Sequence, residues 1–153
     1  MDLGSTSSSF EFHEELPYAS SLHITFNCLP LSHLTNNFMS IVKEFNDYRS
    51  KMNDCILAHD NKTIKRFWAL DGGAYADGAI PSRTKELLGL VASMVLRCDD
   101  CIKYHLGKCH EEGVSTEEVY EVFAIANLVG GSICIPHTRR AAEYWEILIE
   151  EQN

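Results

Sequence analysis

The chain predicts an all-α fold, a bundle of about six helices, and three observations carry that expectation. From residue 39 onward, apolar residues recur at three- and four-residue steps. Capping residues and glycine pairs interrupt that period at helix-length intervals. Nothing from 39 to 153 alternates convincingly as a strand does. Ile41, Phe45, Tyr48, Met52 and Cys55 trace the apolar face of a first helix. Asn61 is placed to cap a second, which carries Ile64, Phe67, Trp68 and Leu70 and is closed by Gly72 and Gly73. The Asp77-Gly78 turn and Pro81 lead to Ser82, the expected N-cap of a third helix with the strongly apolar body 87–96. A fourth runs from about Asp99 to Glu112 and stops at Gly113. Ser115, Thr116, Glu117 and Glu118 read as a capping box for a fifth, ended by Gly130 and Gly131. A sixth starts at Ser132 and reaches about Glu150. Pro136 is tolerable in its first turn, where backbone N–H groups have no intrahelical partner.

A length of 153 residues and a mass of 17.3 kDa suit one domain, and 45% apolar with 23% charged residues is an ordinary globular balance. The net charge of −9 repels phosphate backbones, which argues against nucleic acid as a partner. No stretch approaches the roughly 18 uninterrupted apolar residues that span a bilayer. The six cysteines are too few for a disulfide scaffold, and the N-terminus lacks the basic and apolar regions of a secretory signal. A reducing, cytoplasmic compartment is therefore expected, in which a close cysteine pair tends to be catalytic or metal-binding. Residues 1–38 contain no Lys or Arg, and the first basic residue is Lys43. They are expected to be an N-terminal extension, poorly ordered or upstream of the native start, with the helical domain spanning 39–153. The competing reading is an extension that packs on a neighbouring subunit. The apolar segments 87–96, 122–135 and 144–149 are large for so small a body, so a homo-oligomer is expected.

The chemistry concentrates in Arg97-Cys98-Asp99-Asp100-Cys101-Ile102-Lys103-Tyr104-His105, a Cys-x-x-Cys-x-x-x-His pattern at the start of the fourth helix. Unpaired N–H groups and the positive end of the helix dipole favour a thiolate there over the usual thiol, whose pKa is about 8.5. His105 follows Cys101 by four residues, one turn along the same face, where its imidazole can accept the thiol proton. Cys98 lies three residues before Cys101, near enough for a disulfide. Nucleophile, base and resolving thiol are the three parts of two-step thiol redox chemistry. Asp99 and Asp100 oppose a thiolate, and Lys103 and Arg97 partly offset them. Metal binding is the rival reading, through Cys98, Cys101, His105 and Cys109. Residues 98 and 109 lie roughly 16 Å apart on a continuous helix, so one Zn²⁺ would need a donor such as Glu86 or His110 in place of Cys109.

The run Lys85-Glu86-Leu87-Leu88 followed by Cys98, Cys101 and His105 resembles the alkylhydroperoxidase D and carboxymuconolactone decarboxylase family, most closely its small single-domain branch with a cysteine pair. The resemblance covers roughly residues 39–150, including Gly130-Gly131 and Ile135-Pro136-His137. It implies an all-helical, alkylhydroperoxidase-D-like fold that assembles as trimers or hexamers. It further implies a relay in which Glu86 and His105 deprotonate Cys101. Cys101 would attack a peroxide and become a sulfenic acid, and Cys98 would condense with it to a disulfide. A dithiol reductant (a thioredoxin-like protein, a lipoyl group or a small thiol) would restore the pair, with no cofactor and no metal. Asp100 departs from the better-studied family pattern, which has a His immediately before the second cysteine. Lactone decarboxylases of the wider family do not use a cysteine pair, so the decarboxylase name describes ancestry. Cys28, Cys55, Cys109 and Cys134 have no such pattern, Trp68 and Trp145 sit on apolar stripes, and Tyr104 is expected to point off the site face. His137 could reach the same pocket but is assigned no role.

Overall fold

The structure, a computed structural model, describes residues 40–151; the expected N-terminal extension lies outside the described residues. Six helices follow one another: α1 (Ile41–Ala58), α2 (Lys62–Tyr75), α3 (Ser82–Val95), α4 (Asp99–Glu111), α5 (Thr116–Gly130) and α6 (Ile135–Glu150). A single 3₁₀ turn, Ser132–Cys134, joins the last two. The described residues contain no strand, so the all-α expectation holds. None of their helices is long and apolar enough to cross a membrane.

The caps explain the boundaries. Asn61 Oδ1 accepts from the N–H groups of Thr63 and Ile64 at 3.0 and 3.1 Å, as its position predicts. At α5 the capping box is complete: Glu118 N–H donates to Ser115 Oγ, and Ser115 N–H donates to Glu118 Oε2 at 2.8 Å. Three boundaries differ from the sequence reading. Pro81, not Ser82, is the N-cap of α3, and the Asp77 side chain takes up the Ser82 N–H at 2.8 Å. The final helix begins at Ile135, because the left-handed Gly131 (φ 78°) turns the chain into the 3₁₀ turn before α6 can propagate. And α2 runs through Gly72 and Gly73 to Tyr75, two glycines weakening a helix without ending it.

α3 packs against α4 and α5, and α4 against α6. Their shared interior holds Leu90, Met94, Leu106, Val119, Tyr144 and Trp145, each at most 1% exposed. Trp145 satisfies its indole N–H on Thr116 Oγ1 at 3.1 Å, as a buried indole must. The third apolar segment, 144–149, is thus mostly core. The second is not: along 122–135, Leu128 is 86% and Val129 66% exposed, with Ile125 and Ile133 also open. α2 buries none of its residues, and Phe67 and Leu70 face outward.

Leu106→Ala is expected to lower the unfolding free energy by about 2–5 kcal/mol through lost burial and a residual cavity. A urea titration followed by circular dichroism checks this.

Candidate active site

The connection between α3 and α4 places the cysteine pair. Three residues, 96–98, join the helices. Arg97 N–H donates to Met94 C=O and Cys98 N–H to Ser93 C=O, both at 3.0 Å, which is the double bond of a Schellman end. That motif needs a left-handed residue, and Arg97 takes the role at φ 61° where glycine is usual. α4 ends the same way with Gly113 at φ 68°. Directly after Arg97, Cys98 is the N-cap of α4, and its Sγ accepts the Cys101 N–H at 3.4 Å. Cys98 and Cys101 are joined by a disulfide, Cα–Cα 5.3 Å. Cys98 is half-buried; Cys101 is exposed.

Behind the pair lies an acid–base couple. Glu86 in α3 and His105 in α4 are 3% and 7% exposed, and His105 Nδ1 lies 2.7 Å from Glu86 Oε2. A carboxylate only accepts, so Nδ1 carries a proton, and in the neutral ring Nε2 keeps its lone pair. Tyr75 of α2 brings its hydroxyl to 3.4 Å from that Nε2. Burial and then the charge of Glu86 push the Tyr75 phenol above its ordinary pKa. Gly89, one turn after Glu86, makes room: a Cβ there would stand 2.5 Å from His105 Cε1 and 2.7 Å from the Tyr75 hydroxyl.

Cys101 and His105 line one cavity of about 480 Å³ between α1 and α4. Phe45, Met52 and Ile56 supply its apolar wall, and Arg49, Asp71 and Asp100 its charges. Tyr104 lines it as well, with its ring 5.1 Å from that of His105 and under the Arg49 guanidinium at 4.2 Å. Tyr104 therefore faces the site, contrary to the expectation from spacing. Adjacent helical residues differ by about 100°, but a ring this long sweeps back over its neighbour.

The two aspartates of the motif differ. Asp100 is exposed, with Lys103 Nζ 3.9 Å away. Asp99 is held by α6: His137 Nδ1 lies 2.7 Å from Oδ1, and Arg140 donates to Oδ2 at 3.0 Å. Partial burial would raise the Asp99 pKa, but the bonds to His137 and Arg140 outweigh it and hold the carboxyl below its usual value. His137 is thus bound to the motif without lining the cavity. Cys109 is buried and pushed up to about 12, burial being the main cause. Cys134 is buried and Cys55 exposed, both free thiols. His110 packs on Trp145 at 5.7 Å. Among the described residues, no three His, Cys, Asp or Glu side chains are grouped to hold a metal ion. Glu86, Cys98, Cys101 and His105 do come together. Tyr75, Gly89 and Arg140 escaped the sequence reading. The glycine pair hid Tyr75, and no local pattern marks the other two.

A bundle with a cysteine pair at a helix start, backed by a buried Glu–His couple, defines the class of protein. Residues 62–144 match the carboxymuconolactone decarboxylase family, and the chain belongs to that family. It is 31% identical to an uncharacterised protein of the cox locus of Paracoccus denitrificans, over 49% of this chain and 68% of that one. A second uncharacterised protein, from Cupriavidus necator, is 29% identical over 56% of this chain and 75% of its own. A crystal structure from Thermotoga maritima has 49% identity and a TM-score of 0.69, covering 72% of this chain and 93% of that one. It is described as a carboxymuconolactone decarboxylase family protein for which involvement in the antioxidative response has been suggested. The apo form of a Legionella pneumophila family member shares the fold at 21% identity, with a TM-score of 0.65 over 70% of this chain and 96% of its own.

Two predictions follow from this geometry. An interior helical Gly→Ala change ordinarily stabilises by about 1 kcal/mol. Gly107→Ala in α4, with nothing within 4 Å of its added Cβ, is expected to raise the unfolding midpoint, whereas Gly89→Ala lowers it by driving into His105. Differential scanning calorimetry of both variants tests this reversal of sign. Asp99, with its folded pKa lowered from 3.8, contributes stability that is present above that value and lost as the pH falls through the folded pKa. Arg140→Met removes part of it. The gap between wild-type and variant unfolding midpoints is therefore expected to be widest near neutrality and to close in acid, as read from thermal melts over pH 2–7.

Proposed function

We propose that this protein is a thiol-dependent peroxidase or disulfide oxidoreductase working through the Cys98/Cys101 couple. The observation that carries the reading is the buried Glu86–His105 pair, whose imidazole shares a cavity with Cys101. Glu86 fixes the tautomer of His105 and stabilises the imidazolium that forms. His105 takes the Cys101 proton, and the thiolate attacks the terminal oxygen of a hydroperoxide. The O–O bond breaks, Cys101 becomes a sulfenic acid, and the leaving alkoxide takes the proton from His105 to depart as an alcohol. The Cys98 thiol then displaces water from the sulfenic acid, forming the disulfide. A dithiol (thioredoxin-like, lipoyl or small) returns two electrons and two protons and leaves oxidised. The helix N-terminus favours the attacking thiolate, and the Asp99–Arg140 pairing supports it by taking up a negative charge beside Cys98.

Peroxide reduction also accords with the antioxidative role suggested for the Thermotoga maritima relative. Self-association as a trimer or hexamer belongs to the same proposal, and the exposed apolar side chains of α5, Leu128 and Val129 foremost, support it. A cytoplasmic setting fits a couple that must be re-reduced.

The test follows hydroperoxide consumption with excess dithiol in wild type, Cys101→Ser and Cys98→Ser. Wild type is expected to turn over and Cys101→Ser to be inactive, while Cys98→Ser reacts once and stalls. Three indistinguishable traces would remove the cysteines from peroxide chemistry and turn attention to a decarboxylase-like reaction or a redox sensor.

A further inference from the structure

The relay proposed above uses Glu86, His105 and two cysteines, and it leaves the bond at Nε2 of His105 unexplained. In the form described here the pair is a disulfide, so no thiol is present to offer that nitrogen a proton. Nδ1 is committed to Glu86 at 2.7 Å. The group at Nε2 is the Tyr75 hydroxyl, at 3.4 Å, from the last residue of α2. This meeting is built into the fold, because the side-chain-free surface at Gly89 is what lets phenol and imidazole come together against α3. The phenol stays protonated at neutral pH, its pKa being raised by burial, so it is a donor. A donor resting on the lone pair of a neutral imidazole occupies the electrons that would take a thiol proton.

We infer that Tyr75 is a positioning residue that caps Nε2 of His105 while the Cys98–Cys101 disulfide is formed, and yields that nitrogen to Cys101 when the pair is reduced. The inference rests on the reading of His105 as the base for Cys101. Reduction by a dithiol breaks the S–S bond and delivers two electrons and two protons, one to each sulfur. The Cys101 proton then passes to Nε2, giving a thiolate and an imidazolium whose Nδ1–H stays on Glu86; Tyr75 keeps its own proton throughout. Release needs little movement elsewhere, since α2 buries no residue and packs mainly on α3. Charged groups around the imidazole come from every neighbouring helix: Glu86 from α3, Asp71 from α2, Asp100 from α4 and Arg49 from α1. All remain in Tyr75→Phe, which removes one hydroxyl and keeps the ring that packs 5.2 Å from His105.

The test uses the full chain and no peroxide. In a Cys98→Ser background, the alkylation rate of Cys101 is followed against pH by mass spectrometry of its peptide, with Tyr, Phe or Leu at position 75. With both cysteines present, the disulfide is equilibrated against dithiothreitol. Tyr75→Phe is expected to lower the pH midpoint of alkylation by about half a unit to one unit. It is also expected to shift the equilibrium about threefold to tenfold toward the dithiol, the scale of one hydrogen bond. A midpoint that stays put or rises overturns the inference. So does a Phe variant that tracks wild type while Tyr75→Leu departs from it, because the ring would then only fill the slot beside Gly89. Since neither readout needs turnover, a protein that consumes no hydroperoxide yet shows both Phe shifts would sink the peroxidase reading and leave this inference standing.

Discussion

The site depends on one buried hydrogen bond, from His105 Nδ1 to the Glu86 carboxylate. A carboxylate that costs several kcal/mol to desolvate and its imidazole partner are both almost fully enclosed, and the bond between them is what makes that enclosure tolerable. Such a pair contributes little net stability; well-packed apolar residues would often do as well. What it adds is geometric. It pins the fifth residue of α3 to the seventh of α4, puts a proton on Nδ1, and turns Nε2 toward the Tyr75 hydroxyl. Gly89 is the complement of this bond, a place where α3 gives up a side chain so that the imidazole can sit against its backbone.

The same two helices also set the cysteines, by a separate device. A Schellman end on α3 runs straight into the N-cap of α4, with only Arg97 between the capping residues of the two helices. A left-handed non-glycine residue is uncommon, and here it turns the chain so that Cys98 Sγ points back at the free N–H of Cys101. The sulfur therefore occupies the place usually held by a Ser or Asp oxygen. The acidic residues that favour a helix start sit beside it, and α6 binds the one nearer the first cysteine through Arg140 and His137. The carboxylate beside Cys98 is thus paired within the fold, which the sequence alone does not suggest.

The helices were legible because their signals are local. Asn61, the Ser115–Glu118 box and Gly113 each act within one turn, and the apolar period needs no knowledge of neighbours. Cys98, Cys101 and His105 were legible for the same reason, lying on one helix at fixed spacing. Glu86 was singled out by its spacing in the family pattern, since a carboxylate near a helix start has an ordinary explanation in the dipole. Tyr75 was invisible because Gly72-Gly73 reads as a stop. The cost of about 1 kcal/mol per helical glycine is offset by tertiary contact at the helix end, which no window of sequence reports. Arg140 and His137 reach Asp99 across about forty positions, and the outward turn of Leu128 and Val129 depends on what α3 and α6 leave uncovered. Each is a property of packing, which an apolar period states only in part.

Cys101 and Cys109 show how far position on one helix decides the fate of a thiol. They are eight residues apart on α4, two turns along the same face. Cys109 is enclosed by the core, and burial pushes it up to about 12, so at neutral pH it stays a protonated, apolar filler. Cys101 stands in the first turn, exposed, where backbone N–H groups point outward and the dipole is positive. The charge of Glu86 is a further cause of the raised Cys109 pKa, whereas in the proposed relay the same carboxylate acts on Cys101 through His105. On the proposed relay, one buried carboxylate suppresses ionisation of the core thiol and promotes it at the surface thiol.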